Sequence, residues 1–540
     1  MAFSAFARPA PTSSRQSPRV GPRPGLALAA ALLLLAGCAT PRDVQTPPTE
    51  EIVFDDGRPQ ARLAVRARGA NPLVAQPGLA DWSEASVRQV RQLPASLAEV
   101  WRATQLSETA LSLVILEPGQ IPWVAIQPEQ PRNPASLMKL VTTYAALEGL
   151  GPSHRWRTEA GIAPGTRVDA SGTLSGPLYI RAAGDPWLEP EDVWRLLRDL
   201  RQQGVRRLPG IVIDRSVFGN VAIDPAAFDN APERVYNASP DALLVGFGAS
   251  RLSYRPDAAN GRWRVTVEPP LPDLALDVRL TARKGACQGP RAVRVETVAN
   301  DARPTVRIEG SVPSSCGPFD QYRLLVDPPT HTAQVLRGFW RELGGELDGP
   351  IRDGAAPAGL EVLAVHESDT LADVIRPVNK SSNNVMARHL LLALGQTRSP
   401  APATPASGAA ALREVLREQG LEFPELRLEN GAGLSRDERI AAGSMARLLE
   451  RAWFSPRMPE FVSSLAIAGS DGTVHRRWRD DEASGRAHLK TGTLRDTTGL
   501  AGYVQGTSGR RYLMVAMVND PKAYNARRFL DATVEWLARQ

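Results

Sequence analysis

Lysine is scarce in this chain. Five of its 540 residues are lysine (Lys139, Lys284, Lys380, Lys490 and Lys522), so nearly all of its 64 basic side chains are arginine. Cysteine is scarcer still, with three residues, and no C-x-x-C or other metal spacing occurs. The six histidines form no H-E-x-x-H, so the zinc-peptidase pattern is excluded and no metal is expected. There is no phosphate-cradling or dinucleotide glycine loop, and no other cofactor is expected. A G-x-S-x-G elbow is also lacking, because GSDG at residues 469–472 is offset, which disfavours an α/β-hydrolase. No apolar run reaches membrane-spanning length; the longest, residues 26–36, has eleven residues.

The basic balance is equally uninformative about partners. Residues 1–38 carry four arginines and no acid, and removing them takes the formal net charge from +6 to +2. A near-neutral remainder gives no electrostatic reason to expect nucleic acid. The same 38 residues read as a targeting signal: an arginine-bearing start, a short apolar run, then Leu35-Ala36-Gly37-Cys38. Small residues before a cysteine resemble a bacterial lipobox, in which Cys38 becomes the lipidated N-terminus. The alternative is an ordinary cleaved signal with a chance cysteine. Ala39 after the cysteine favours, by the same resemblance, a periplasmic protein anchored to the outer membrane. Cys287 and Cys316 form an even remainder, which in an exported chain suggests a disulfide, with two free thiols as the other possibility.

Residues 39–92 begin proline-rich and charged and read as a flexible tether, with a hairpin possible around Asp56-Gly57. Folded structure is expected from about residue 93. LPASLAEVWRATQ is helix-periodic, and ALSLVILEPGQIPWVAI reads as two strands about a Pro-Gly turn. SLMKLVTTYAALEGLG promises a helix of about four turns. From 156 to 334 the chain is β-rich: RWRVTVEP, LDVRLTARKG, RAVRVETV and PTVRIEGSV alternate apolar and charged residues. Helices return after 335, including one read through TLADVIRPVNKSSNNVMARHLLLALG, with a loop at 400–408. The last fifty residues read as three antiparallel strands and a helix.

Three short motifs carry the chemistry. Ser136-Leu137-Met138-Lys139 puts a hydroxyl and an amine at i and i+3 of a helix, on one face. A serine is a poor nucleophile until a base takes its proton, and a lysine whose pKa is lowered by burial can be that base. The competing reading is a core helix capped by Ser136 with Lys139 exposed. Ser382-Asn383-Asn384 follows Lys380, and Lys490-Thr491-Gly492-Thr493 lies on an expected strand, its glycine bare enough for a substrate backbone to approach. Three of the five lysines fall in or beside these motifs.

S-x-x-K, S-x-N and K-T-G in this order resemble the signature of penicillin-binding proteins and β-lactamases. The long first gap, with NPASLMKL, YNASPDALLVGFG, NGAGLSRDERI, IAGSDGTV and HLKTGTL, resembles the D-alanyl-D-alanine carboxypeptidase/endopeptidase family S13 from about residue 93 onward. It departs at Asn383, where Asp is common, and at Arg388, where an acid is frequent. The resemblance implies an α/β (α+β) penicillin-recognising fold, an antiparallel sheet flanked by helices. Residues 93–155 and 335–540 would form the catalytic domain and 156–334 an inserted one. It implies hydrolysis of peptidoglycan stem peptides through an acyl-enzyme on Ser136, with β-lactams as covalent inhibitors. Lys139 would be the base and Ser382 a proton relay. Asn384 would orient Lys139 and the substrate amide, while Lys490 and Thr491 would meet the terminal carboxylate or set the field near Ser382. The N–H groups of Ser136 and Thr493 would form the oxyanion hole. A β-lactamase or esterase on the same scaffold, and a catalytically silent peptidoglycan-binding lipoprotein, are the competing functions.

Overall fold

The computed structural model describes residues 92–540, apart from 258–259, 288–292 and 299–303. The expected signal, Cys38, the hairpin around Asp56-Gly57 and all of the tether but Gln92 lie outside the described residues.

Helix α1 (Ala95–Ala103) comes first, then strands β1 (Leu111–Leu116) and β2 (Val124–Ile126), which pair antiparallel. In the turn between them Pro118 is followed by Gly119 at φ +85°, the left-handed position that glycine fills without strain, and Gln120 N–H donates to the Glu117 carbonyl at 2.9 Å. A two-residue strand, β3 (Pro131–Arg132), leads into a 3-10 turn (Ala135–Leu137) and helix α2 (Met138–Leu150). Every residue of α2 from Met138 to Leu147 is buried, so this helix has no solvent face and a lysine on it has nowhere to snorkel.

The chain then leaves for a large insertion. It comprises β4 (Arg157–Ile162), β5 (Leu178–Arg181), α3 (Pro190–Gln202), β6 (Arg207–Leu208) and β7 (Ile211–Asp214). Next come β8 (Ser250–Asp257), β9 (Arg262–Glu268), β10 (Ala275–Arg283), β11 (Val293–Val298), β12 (Thr305–Pro313) and β13 (Phe319–Arg323). Helix α4 (Pro328–Glu342) and strands β14 (Glu346–Leu347), β15 (Ile351–Asp353) and β16 (Glu361–Glu367) complete it. A mixed sheet β15-β7-β5-β4-β16 and a second sheet β11-β12-β10-β9-β8-β13 share one core that includes Leu197, Ile211, Leu252, Ile308 and Trp340. The boundary expected at 334/335 falls inside α4, and Val335, Trp340 and Ala364 pack into the insertion's core. Amphipathic periodicity shows that α4 buries one face but not against which sheet. The first and last strands, β4 and β16, pair antiparallel, so the insertion leaves and returns at one place.

Beyond it come α5 (Leu371–Lys380), α6 (Asn384–Arg398) and α7 (Pro405–Glu418). The helix read through TLADVIRPVNKSSNNVMARHLLLALG is two helices. Ser382 at φ +61° breaks it, and Asn383 caps α6 by accepting the Met386 N–H. The loop expected at 400–408 is shorter, because Thr404 and Ser407 form a capping box and Pro405 opens α7. The chain ends with β17 (Ile440–Ala441), α8 (Ala442–Phe454), α9 (Met458–Ser463), β18 (Ala466–Ile467), β19 (Ala487–Leu494), β20 (Thr497–Gln505), β21 (Arg511–Asn519) and α10 (Arg527–Ala538).

The main sheet, in order β18-β19-β20-β21-β1-β2, is antiparallel throughout. Both faces are covered. On β21, Leu513, Val515 and Met517 join the core built around α2, while Met514, Ala516 and Val518 join the core under α1 and α10. That is why RYLMVAMVN reads as a continuous apolar run rather than an alternating one.

Cys287 and Cys316 are joined by a disulfide just past the ends of β10 and β12, which pair parallel as far as Arg283 and Pro313. The bridged cysteines stand 29 residues apart, so by loop-closure entropy the cross-link destabilises the unfolded chain by about 3.6 kcal/mol. Replacing both by serine should lower the midpoint of denaturant unfolding. Equal midpoints would show that this sheet does not need the link.

Candidate active site

The turn before α2 is held from both sides. Asn133 accepts the Ala135 N–H on Oδ1 at 2.9 Å, and its own N–H and carbonyl are clasped by the Asn519 side chain at 2.8 and 3.0 Å. Ala135 takes φ +48°, unusual for a residue with a Cβ. Gly433 lies against it so closely that a Cβ there would stand 1.8 Å from the Ala135 carbonyl oxygen, and Gly433 itself is at φ +76°. Across the turn, a Cβ on Gly492 would meet the Pro134 carbonyl at 2.6 Å. The turn bearing Ser136 is thus wedged between the K-T-G strand and the loop of residues 429–438, and Ser136 is half-buried between them.

Lys139 is fully buried. Its Nζ lies 3.0 Å from Ser136 Oγ and 2.7 Å from Asn384 Oδ1, and it makes a short contact with the Ala432 carbonyl. Burial pushes its pKa well below the ordinary lysine value, and the nearby Lys490 and Arg388 cations add to this, while the Glu438 carboxyl opposes it. A free amine has two hydrogens and one lone pair. Asn384 Oδ1 and the Ala432 carbonyl can only accept, so they take the two hydrogens. The lone pair is left for the third neighbour, the Ser136 hydroxyl, which must donate. Burying an ammonium costs several kcal/mol, a reason for this side chain to be held as the amine.

The second hydroxyl–lysine pair is Ser382 and Lys490. Lys490 Nζ lies 2.9 Å from Ser382 Oγ and 2.9 Å from the Thr491 carbonyl, and burial lowers its pKa to about 7. Thr491 donates from its hydroxyl to Thr473 Oγ1 at 2.9 Å. Thr493 is exposed on the same strand, one residue beyond the Gly492 contact. Ser136, Lys139, Ser382, Asn384 and Lys490 to Thr493 therefore converge. Cys287 and Cys316 lie in the insertion. No cluster of metal-ligating side chains occurs among the described residues.

Several supporting residues were not legible as such. Glu438 is fully buried, its Oε1 accepts the N–H groups of Glu429, Asn430 and Gly431 at 2.9–3.0 Å, and its pKa is raised by burial. It shapes the loop that offers the Ala432 carbonyl to Lys139. Lys380 pairs with Asp471 at 2.6 Å, and Asn379 donates to Thr143 and Ser464. NGAGLSRDERI and IAGSDGTV point to these loops, but neither marks which acid is buried. A cavity of about 460 Å³ lies beside the site, between Phe228 and Asp224 of the insertion and Arg388, Asn430 and Arg436. A larger one of about 760 Å³ lies in the insertion among Phe218, Pro240, Val295 and Leu325 and includes none of the three motifs.

An antiparallel sheet with helices on both faces and the three motifs meeting at the K-T-G strand is the penicillin-recognising fold. Among solved structures, the chain is similar to penicillin binding protein 4 (dacB) from Haemophilus influenzae, with TM-score 0.66, 21% identity, and coverage of 82% of this chain and 100% of that one. The same protein complexed with a novel β-lactam gives TM-score 0.65 at 22% identity, covering 83% of this chain and 100% of that one. A D-alanyl-D-alanine carboxypeptidase of Actinomadura sp. (strain R39) is 31% identical over 408 residues, 72% of this chain and 73% of that one. D-alanyl-D-alanine carboxypeptidase DacB of Haemophilus influenzae is 25% identical over 399 residues, 71% and 80%. The D-Ala-D-Ala carboxypeptidase 3 (S13) family model matches residues 93–540, and the chain belongs to that family.

Gly433→Ala should lower the rate of Ser136 acylation by about a hundredfold, since the turn must move to admit the methyl group; an unchanged rate would mean the loop yields freely. For Lys490, the folded-state pKa near 7 lies below the ordinary 10.5, so the unfolded chain binds more protons between these values. Its contribution to stability therefore rises with pH across that window. Lys490→Met should raise the melting temperature below pH 7, with the advantage shrinking towards pH 10.5. A melting temperature that falls at pH 6 would show that the hydrogen bonds to Ser382 and Thr491 outweigh the desolvation.

Proposed function

We propose that the chain is a serine-type D-Ala-D-Ala carboxypeptidase that hydrolyses peptidoglycan stem peptides and is acylated by penicillin at Ser136. The observation that carries this reading is the fully buried Lys139 nitrogen, 3.0 Å from Ser136 Oγ, with the Asn384 Oδ1 and Ala432 carbonyl oxygens as its other two polar neighbours.

Ser136 Oγ bonds to the carbonyl carbon of the penultimate D-Ala, and its proton passes to the Lys139 lone pair. The negative charge that develops on the carbonyl oxygen is met by the N–H groups of Ser136 and Thr493. The C–N bond then breaks, and the leaving D-Ala amine takes a proton through the Ser382 hydroxyl, which Lys490 orients. Lys490 and Thr491 receive the substrate's terminal carboxylate. Water cleaves the acyl ester and restores the serine. The family's carboxypeptidase name and the β-lactam complex of the Haemophilus protein support this substrate class and this inhibitor.

The substrate lies outside the cytoplasm, which the cell-wall chemistry of the family supports. No described helix is long and apolar enough to cross a membrane. The Leu35-Ala36-Gly37-Cys38 sequence supports a periplasmic lipoprotein held by its lipid at the outer membrane.

Incubation with benzylpenicillin should give a one-to-one adduct by intact mass, mapped to the peptide containing Ser136. Ser136→Ala should abolish both the adduct and D-Ala release from a stem pentapeptide, with an unchanged melting temperature. Rapid penicillin turnover without an adduct would move the reading to a β-lactamase. A folded protein with neither would leave a peptidoglycan-binding role.

A further inference from the structure

Arg388 is an arginine placed at a cost. It lies four residues after Asn384 on α6, is 6% exposed, and has no carboxylate at ion-pair distance among the described residues. Its Nε has no hydrogen-bond partner. A buried cation with no carboxylate in direct contact, its burial opposed only at longer range by the Glu438 and Glu429 carboxylates, and a buried N–H left unpaired both destabilise a fold, the latter by about 1–3 kcal/mol. Such a side chain is not accounted for by stability.

What it holds is backbone of the insertion. Arg388 Nη1 donates to the Ala238 carbonyl at 2.9 Å and to the Tyr236 carbonyl at 3.3 Å. The Tyr236 carbonyl also accepts from Asn384 Nδ2 at 3.4 Å. This stretch is fastened at its other end, where Tyr236 OH and Asn237 Nδ2 both donate to the Asp229 carboxylate at 2.6 and 2.8 Å. The orientation of the Asn384 amide follows from these contacts. With Nδ2 turned to the Tyr236 carbonyl, Oδ1 must face Lys139, and that is the condition under which the lysine lone pair is left for Ser136.

We propose that Arg388 is a positioning residue for acyl transfer: by fixing the Tyr236–Ala238 backbone of the insertion against α6, it sets the Asn384 amide and, through it, the direction of the Lys139 lone pair. The proposal rests on the assignment of Ser136 and Lys139 as nucleophile and base.

The guanidinium has a second effect, on charge. The charged groups facing Lys139 are Lys490 on β19, Glu438 in the loop before β17, and Arg388 on α6. Lys490 and Arg388 repel a proton from the amine and Glu438 attracts one. Removing the arginine cation therefore raises the pKa of Lys139 and moves the acid limb of the reaction to higher pH.

The test is the second-order rate of benzylpenicillin acylation of the full chain as a function of pH, with the adduct mapped each time. Arg388→Met keeps the volume and removes the charge and both donors. Per folded molecule it should lose about tenfold or more in rate at neutral pH and show an acid limb displaced upward. Arg388→Lys keeps the charge. It should hold the limb at the parent position and recover part of the rate, and it decides the matter if the methionine variant does not fold. Parent-like rates and limbs in both variants would overturn the proposal. So would a loss that follows the amount of folded protein while the limb stays in place. Absence of an adduct on Ser136 in the parent chain is a separate failure, that of the nucleophile assignment beneath it.

Discussion

The site depends on keeping one amine out of water. Lys139 sits on a helix without a solvent face, and its three polar neighbours come from three separated parts of the chain: Ser136 from the same helix entrance, Asn384 from α6 and the Ala432 carbonyl from the loop before β17. Burying that nitrogen as an ammonium costs several kcal/mol. Leu137, Met138, Leu140 and Val141 around it are fully buried and each contribute about 1.5–3 kcal/mol, so the apolar helix can carry the penalty. The same burial that would be a defect in a structural helix favours the unprotonated amine, whose lone pair is free to take a proton.

Around this centre the polar groups support one another rather than solvent. Glu438 gathers three N–H groups and bends the loop that supplies Ala432. Asn519, at the end of β21, grips Asn133 and so ties the turn bearing Ser136 to the main sheet. The insertion is a participant as well. It leaves and returns through the β4–β16 pair and reaches back to the site through the carbonyls of Tyr236 and Ala238. Its length carries little entropic penalty, because loop closure grows only slowly with the number of residues.

Much of this was legible beforehand, for identifiable reasons. Ser136, Lys139, Ser382, Asn384 and Lys490 stand in short motifs whose side chains meet in space. The strands of the last fifty residues announced themselves by apolar runs bounded by glycine turns. What was not legible involves contacts between distant segments. The helix read through Ser382 breaks because that residue takes a left-handed backbone, and no local propensity marks a serine for it. The helix expected after residue 335 is present as α4, but its buried face packs into the insertion's core, which the local sequence does not specify. Arg388 stands out in sequence only as a departure from the family pattern, and Glu438 only as one acid within NGAGLSRDERI; their burial is a product of the tertiary packing. The Cys287–Cys316 disulfide is present, though pairing alone could not be decided from an even count.

The order of strands in the main sheet has a temporal meaning. Its first strand in sequence, β1, pairs along its whole length with the last, β21, and the turn bearing Ser136 is gripped by Asn519 at that strand's end. A chain that emerges from its N-terminus, from a ribosome or through a membrane, holds Ser136 and Lys139 early but lacks the partners that bury and orient them. Contacts of such long sequence separation form late. The turn bearing Ser136 therefore lacks its clasp for as long as the final thirty residues are unmade, and the site is assembled only once the last strand is in place.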